Sequence, residues 1–248
     1  FYERKKMSKT PLFNFIDVQF NARNDVDLVV NKFNVHSGLV YGIGGKQGAG
    51  KSLLFELLNR KIKPSTGEIE YNGKPFNSLS NGLMSDQFAY VPQVIKSPFG
   101  TVEKFMVKTL GNYSHIKEPE KRVEIILKKL EIKDNILDKK MRHLSPGQLR
   151  KIWLATAIAS DPKILLIDEV DLHTTQEYLS LLIKILKKKC NYDGVTIILS
   201  SLKMDLLHKI SSILVLMDEG KITNVRSLMN TGDKRGGHRQ HPRPRKRR

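Results

Sequence analysis

The sequence predicts an α/β fold with a mixed sheet, an antiparallel β portion and an inserted helical subdomain. Three observations predict it. Strand-like and helical patterns alternate along most of the 248 residues, as expected of strands connected by crossover helices. The later strand runs, 164–167 and 197–199, are apolar without alternation, which marks strands covered on both faces of a parallel sheet. The strand rhythm then breaks between about residues 94 and 145, where helical patterns take over.

Taken in order, the first strand runs are 12–20, 29–35 and 39–43. The early ones alternate apolar with polar residues and are separated by turn signals, hence the antiparallel portion. A helix follows at 51–59, then strands at 68–71 and 88–91. Helical patterns occupy 118–130 and 146–160, so the helical subdomain runs from about 94 to 160. The strand 163–168, a helix at 174–188, the strand 195–200, a helix at 204–210 and the strand 213–217 complete the order. No internal repeat is visible.

Composition narrows the class. A 40% hydrophobic content is enough to build a core, so global disorder is excluded. No run of eighteen apolar residues occurs, which excludes a transmembrane helix. The lone Cys190 can form neither an internal disulfide nor a zinc cluster and fits a reducing compartment. Charged residues 3–6 give way to polar ones without a signal-peptide apolar region. An intracellular chain with no spanning helix is expected. Of the net +18, residues 231–248 carry +7 and residues 1–10 carry +3. The tail 231–248, built of Gly, Pro, His and Arg, cannot bury a core and is expected to be disordered beyond a domain spanning 1–230. It reads either as a solvated tail or as a contact for anionic lipid or nucleic acid.

The sharpest motif is Gly45-Lys46-Gln47-Gly48-Ala49-Gly50-Lys51-Ser52, which satisfies G-x-x-x-x-G-K-[ST]. It follows a strand and opens an apolar helix. Its glycines let successive backbone N–H groups turn toward phosphate oxygens, and the helix start adds the positive end of its dipole. Lys51 suits the terminal phosphates, and the Ser52 hydroxyl suits Mg²⁺. A chance match is on the order of one in a hundred from residue frequencies, and the strand–loop–helix context lowers it further. A second feature is the apolar run Ile164-Leu165-Leu166-Ile167 ending in Asp168-Glu169. Asp168 is placed to hold Mg²⁺ and Glu169 to polarise an attacking water.

With Tyr90-Val91-Pro92-Gln93 and Leu144-Ser145-Pro146-Gly147-Gln148, and the closing Met217-Asp218-Glu219-Gly220-Lys221-Ile222, these motifs resemble the ATP-binding-cassette (ABC) ATPases. The likeness spans about residues 12–223 and implies a P-loop NTPase. It implies that residues 45–52 bind ATP, that Gln93 contacts Mg²⁺ alongside Ser52 and Asp168, and that Glu169 is catalytic. It further implies that Ser145, Gly147 and Gln148 grip the ATP held by a second copy, giving a head-to-tail dimer around two ATP. Read without the family, Ser145, Pro146 and Gln148 form a well-capped helix start.

The departures matter for rate. Proline stands at 146, where the family usually has glycine. Ser201 or Leu202 occupies the place of the usual histidine that contacts the γ-phosphate, and His208 lies too far along the next helix to replace it. The loop 170–175 lacks the usual Ser-Ala-Leu-Asp run, though its His173 is within reach of the dimer interface. The adenine-stacking aromatic expected near Ala22 is absent, and Phe20 reads as a core residue. Losing a contact that strengthens in the transition state costs about 3–4 kcal/mol, so slow hydrolysis with intact ATP binding is expected.

With no spanning helix, the resemblance implies a separate subunit, cytoplasmic and peripheral on the inner face of the membrane. It would dimerise with a second ABC subunit, a homodimer being expected, and drive multi-pass membrane subunits. Phe99, Val102 and Phe105 are the expected contacts with the membrane partner, each reading equally well as an ordinary core residue of the helical subdomain. Transport and division-type signalling both remain open. A soluble ABC ATPase acting on nucleic acid or ribosomes is the alternative, disfavoured because neither a second cassette nor a long coiled-coil insertion is present.

Overall fold

Among the described residues of the computed structural model, 10–21 and 26–229, ten strands form one continuous sheet. In chain order the elements are β1 (Phe13–Asn21), β2 (Val26–Val35), β3 (Val40–Gly44), α1 (Lys51–Leu58), β4 (Thr66–Tyr71) and β5 (Lys74–Pro75). Then come α2 (Asn81–Gln87), β6 (Phe88–Val91), α3 (Val102–Leu110), α4 (Pro119–Lys129), α5 (Pro146–Ala159) and β7 (Ile164–Ile167). The last are α6 (Gln176–Asp193), β8 (Thr196–Ser200), α7 (Met204–Ile210), β9 (Ile213–Asp218) and β10 (Lys221–Ser227). The sheet order is β5-β4-β1-β2-β10-β9-β3-β8-β7-β6.

The sheet has two parts of different character. β1 pairs antiparallel with β2 and β4, and β4 with β5. β9, β3, β8, β7 and β6 are parallel neighbours. β10 joins the parts, antiparallel to β9 and parallel to β2 through the Lys221–Val29 pair. The antiparallel portion is thus where the alternating runs predict it. Phe13 and Phe15 point into the core, then the phase slips. Asp17 takes φ 47 and the register with β4 shifts between Ile16 and Gln19, so that Val18 is buried instead of Asp17. One extra residue in a strand does this.

In the parallel part both faces are covered, which is why the strands are apolar throughout. Leu165, Ile167, Ile197 and Leu199 face the core shared with α3, α4, α5, α6 and α7. Ile164, Leu166 and Ile198 face the opposite core, shared with Leu54, Phe55, Leu57 and Leu58 of α1 and with the antiparallel strands. Each such side chain contributes about 1.5–3 kcal/mol by burial. Cys190 extends the buried stripe Leu179, Leu182 and Leu186 of α6, and its thiol donates to the Gly38 carbonyl.

Between β6 and β7 lie α3, α4 and α5. Within the 94–145 stretch, Thr101 caps α3, and Val102, Met106 and Leu110 bury one face. α2 was not expected from the sequence, because it buries none of its residues; a Ser80 cap starts it. β10 runs five residues past the closing motif, and its mostly exposed side chains carry no apolar period. The basic tail and Ala22 lie outside the described residues.

Candidate functional site

Four parallel neighbours, β6, β7, β8 and β3, end at the same edge of the sheet. The pairs Val91–Ile167, Ile167–Leu199 and Ile43–Ser200 set their ends level. The residues just beyond those ends are Gln93, Asp168 and Glu169, Ser200 and the loop from Gly45. Ligands of open α/β sheets bind beyond the carboxyl ends of such strands.

The loop 45–50 turns through three positive φ angles, at Gly45 (151), Gly48 (81) and Gly50 (91). Lys46, Gln47 and Gly48 are exposed, and a Cβ built at Gly48 would meet nothing within 4 Å. α1 begins without a side-chain cap, so its first amides are left to another acceptor. The Lys51 side chain is buried, and its Nζ donates to the carbonyls of Gly45 (2.8 Å) and Lys46 (2.7 Å). Burial lowers its pKa, and the charges of Glu169 and Asp168 oppose that shift. Ser52, next in the helix, is exposed. Behind the loop stands the β9–β10 turn. The Gly220 N–H donates to the Ala49 carbonyl at 3.3 Å, and a Cβ at Gly50 would lie 3.1 Å from Gly220 Cα.

Asp168 is 1% exposed, and its Oδ1 accepts the Ser200 hydroxyl at 2.6 Å. The same Ser200 oxygen accepts the Glu169 N–H at 2.8 Å. Glu169 takes φ 54, a left-handed conformation that costs an ordinary residue about 1 kcal/mol. Its side chain is half-buried, as is that of Gln93. Arg150 of α5 closes the group from behind. It donates Nη1 to the Pro92 carbonyl, and Nη2 to the carbonyls of Asp168 (2.6 Å) and Glu169 (2.8 Å).

At the start of α5, the Ser145 Oγ accepts from the Gln148 N–H, and the Gln148 side chain accepts from the Ser145 N–H. The capping box read from the sequence is therefore formed. Gly147 is pressed against the next loop, since a Cβ there would sit 2.9 Å from the His173 carbonyl. Among the described residues, no hydrogen bond links Ser145, Gly147 or Gln148 to residues 45–52.

The departures from the family pattern have a structure of their own. Ser201 is fully buried; its hydroxyl donates to Asp171 Oδ1 at 2.7 Å and accepts the Lys203 N–H at 2.9 Å. Asp171 takes the hydrogen of the Ser201 hydroxyl, and Lys203 Nζ lies 3.2 Å from the other Asp171 oxygen. His173 is exposed, with φ 55, beside a cleft of about 270 Å³ that also involves Gln93, Pro146 and Arg150. His208 is exposed on α7 and Phe20 packs on the core, both as read from the sequence. Of the three expected partner contacts, Phe99 is 100% exposed, whereas Val102 is buried and Phe105 packs on Trp153 at 5.4 Å. Val102 takes the core reading, because it falls on the buried stripe of α3 with Met106 and Leu110.

The sequence assigns no role to Arg150 or Ser200, and it marks Gly220 only as part of the closing motif. Arg150 and Lys151 stand side by side between Leu149 and Ile152, and only the structure shows that Arg150 is the one turned into the core.

The family model described as ABC transporter matches residues 29–171, more than half of the chain. The chain belongs to the ABC transporter family. It is an ATP-binding cassette of that family by sequence and by fold. The methionine import ATP-binding protein MetN 2 of Acinetobacter baylyi is 33% identical over 204 residues, covering 76% of this chain and 57% of that protein. The chain therefore spans little more than half the length of that relative. The nickel import ATP-binding protein NikE of Shigella dysenteriae is 27% identical over 225 residues, covering 87% of this chain and 83% of NikE. CbiO1 from Clostridium perfringens, part of the ABC transporter complex cbiONQ, matches with a TM-score of 0.72 and 25% identity over 88% of this chain and 89% of its own. The dimeric ATP-binding cassette MJ0796, in a post-hydrolysis state bound to ADP and Pi, shares the fold with a TM-score of 0.78 at 20% identity, covering 87% and 98% of the two chains.

Proposed function

We propose that this chain is the ATP-binding and hydrolysing subunit of an ABC-type membrane complex. The observation that carries the reading is one strand edge bearing both the loop 45–52 and the Asp168–Glu169 pair, with Ser200 tying the two acids together. A magnesium nucleotide fits the donors present. The α1 start is uncapped, the Ser52 hydroxyl is exposed, and the buried Asp168 has its Oδ2 outside the bond to Ser200. When bound, MgATP supplies an electrophilic phosphoryl group with part of its charge offset by the metal.

The chain's own residues then have assigned tasks. The amides of Gly45, Lys46, Gln47, Gly48, Ala49 and Gly50 cradle the phosphates, and Lys51 offsets their charge. Ser52, Gln93 and Asp168 hold the metal. Glu169 polarises the attacking water and accepts its proton. Ser145, Gly147 and Gln148 close over the nucleotide of a second cassette, in a head-to-tail pair. With the Ser201 hydroxyl taken by Asp171, the position of the missing histidine offers no free donor among the described residues, so turnover is slow.

The relatives named for methionine and nickel import favour import, with multi-pass subunits as partners and the cassette on the cytoplasmic face. The wholly exposed Phe99, just beyond Gln93, is the contact offered to them. The basic run 231–248 adds attraction to anionic lipid, about 1 kcal/mol per arginine at the surface. Phosphate release measured for the parent chain and Glu169→Gln tests the reading. The variant should bind ATP by calorimetry and release almost no phosphate; parental release in the variant overturns it.

A further inference from the structure

Arg150 lies in the first turns of α5 with its side chain 1% exposed. Among the described residues it makes no ion pair with a carboxylate. Its donors go instead to three backbone carbonyls, those of Pro92, Asp168 and Glu169, while its Nε is buried without a partner. Burial pulls the guanidinium pKa down to about 10 against the favourable charges of Asp168 and Glu169. Burying a cation on these terms is unfavourable, and an apolar side chain could fill the space. The identity of the acceptors accounts for the charge. They belong to the peptide just before Gln93 and to the two residues that carry the acids.

Glu169 is held at both ends. Its N–H is given to Ser200 and its carbonyl is taken by Arg150, which together keep the residue at φ 54. We propose that Arg150 is a positioning residue for hydrolysis, whose planar fork locks the Glu169 and Pro92 peptides into one geometry and so aims Glu169 and Gln93 together. The inference rests on the role of Glu169 given above. It also supplies a route between sites. Ser145, Gly147 and Gln148 occupy the first turn of the same helix, so a pull on that turn by a second copy's nucleotide reaches Glu169 through one side chain. Lysine, a point charge without a fork, cannot serve three carbonyls in this way.

The test compares the full-length parent, R150Q, R150K and E169Q by phosphate release, ATP calorimetry and circular dichroism. For R150Q, ATP affinity and KM stay within about threefold of the parent while kcat falls about 100-fold, the scale of a 1 Å misplacement. R150K keeps the charge and most of the volume, so it decides the matter if R150Q does not fold. Its kcat falls about tenfold at unchanged KM, a loss confined to the transition state. A merely structural role would instead lower the melting temperature and raise KM, with kcat per folded molecule preserved. Parental kcat in folded R150Q or R150K overturns the proposal while leaving Glu169 in place if E169Q is inactive. Parental activity in E169Q overturns the reading of Glu169, and this proposal with it.

Discussion

Gly220→Ala should damage both the fold and nucleotide binding, although the residue bears no functional group. Gly220 takes φ 72 in the β9–β10 turn, and an added Cβ would lie 2.3 Å from the Asp27 carbonyl oxygen and 3.0 Å from its carbon. An ordinary carbon–oxygen contact is about 3.3 Å, so the turn or β2 must retreat by about 1 Å. β2 is not free to do so, because the Val29 N–H donates to the Gly220 carbonyl at 2.7 Å. The left-handed conformation costs about 1 kcal/mol and overpacking about 1–3 kcal/mol, giving a loss of about 2–4 kcal/mol. At roughly 2–4 °C per kcal/mol for a chain of this size, melting falls by about 4–16 °C. The displaced turn also withdraws its N–H from Ala49, so the loop 45–52 loses its backing and ATP protects less. Gly194→Ala is the control: it has the same φ of 72 but nothing within 4 Å, so it should lose only the conformational part. Thermal melts of both variants with and without MgATP make the comparison. If Gly220→Ala melts within about 2 °C of Gly194→Ala, or keeps the parental ATP-induced shift, the reasoning fails.

Other expectations follow from the same geometry. Asp161 accepts from Arg122 of α4 (2.5 Å) and from Lys189 of α6, so Asp161→Ala, which removes both pairs but leaves Lys189 its pair with Asp193 at 3.0 Å, should lower stability by about 1 kcal/mol in a urea titration. Phe99→Ser should change stability by less than about 0.5 kcal/mol, since the side chain touches only solvent, while abolishing co-purification with a membrane subunit. The Tyr41 hydroxyl, buried and accepting the His36 N–H, is pushed up to about 12 by burial. Its contribution is fully present below pH 10 and is lost as the pH rises through about 12. Between pH 9 and 11.5, unfolding midpoints should therefore fall less steeply in Tyr41→Phe than in the parent, and equal slopes would exclude the assignment.

The fold was legible where burial imposes a period. β7 and β8 are covered on both faces and read as apolar runs, and the α6 stripe read at helical spacing. α2 and β10 were not legible, because neither buries a regular face. The phosphate loop and the acid pair were legible because close backbone approach and metal chemistry demand particular residues at fixed spacing. The groups that hold them were not. Arg150 reaches the backbone carbonyls of Pro92, Asp168 and Glu169, and Ser200 of the neighbouring strand reaches the Asp168 carboxylate and the Glu169 N–H; only the level strand ends bring them there. Val102 stayed ambiguous because an apolar residue near an exposed Phe99 looks the same in sequence whether it faces a partner or the core.

β10 stitches two differently built halves of one sheet, and toward β2 its pairing is the Lys221–Val29 step, next to the Gly220 contact with the phosphate loop. Whatever stiffens the loop stiffens the stitch, so deuterium uptake at the Val29 and Gly220 amides should slow when nucleotide is added, reporting occupancy from the far side of the binding edge.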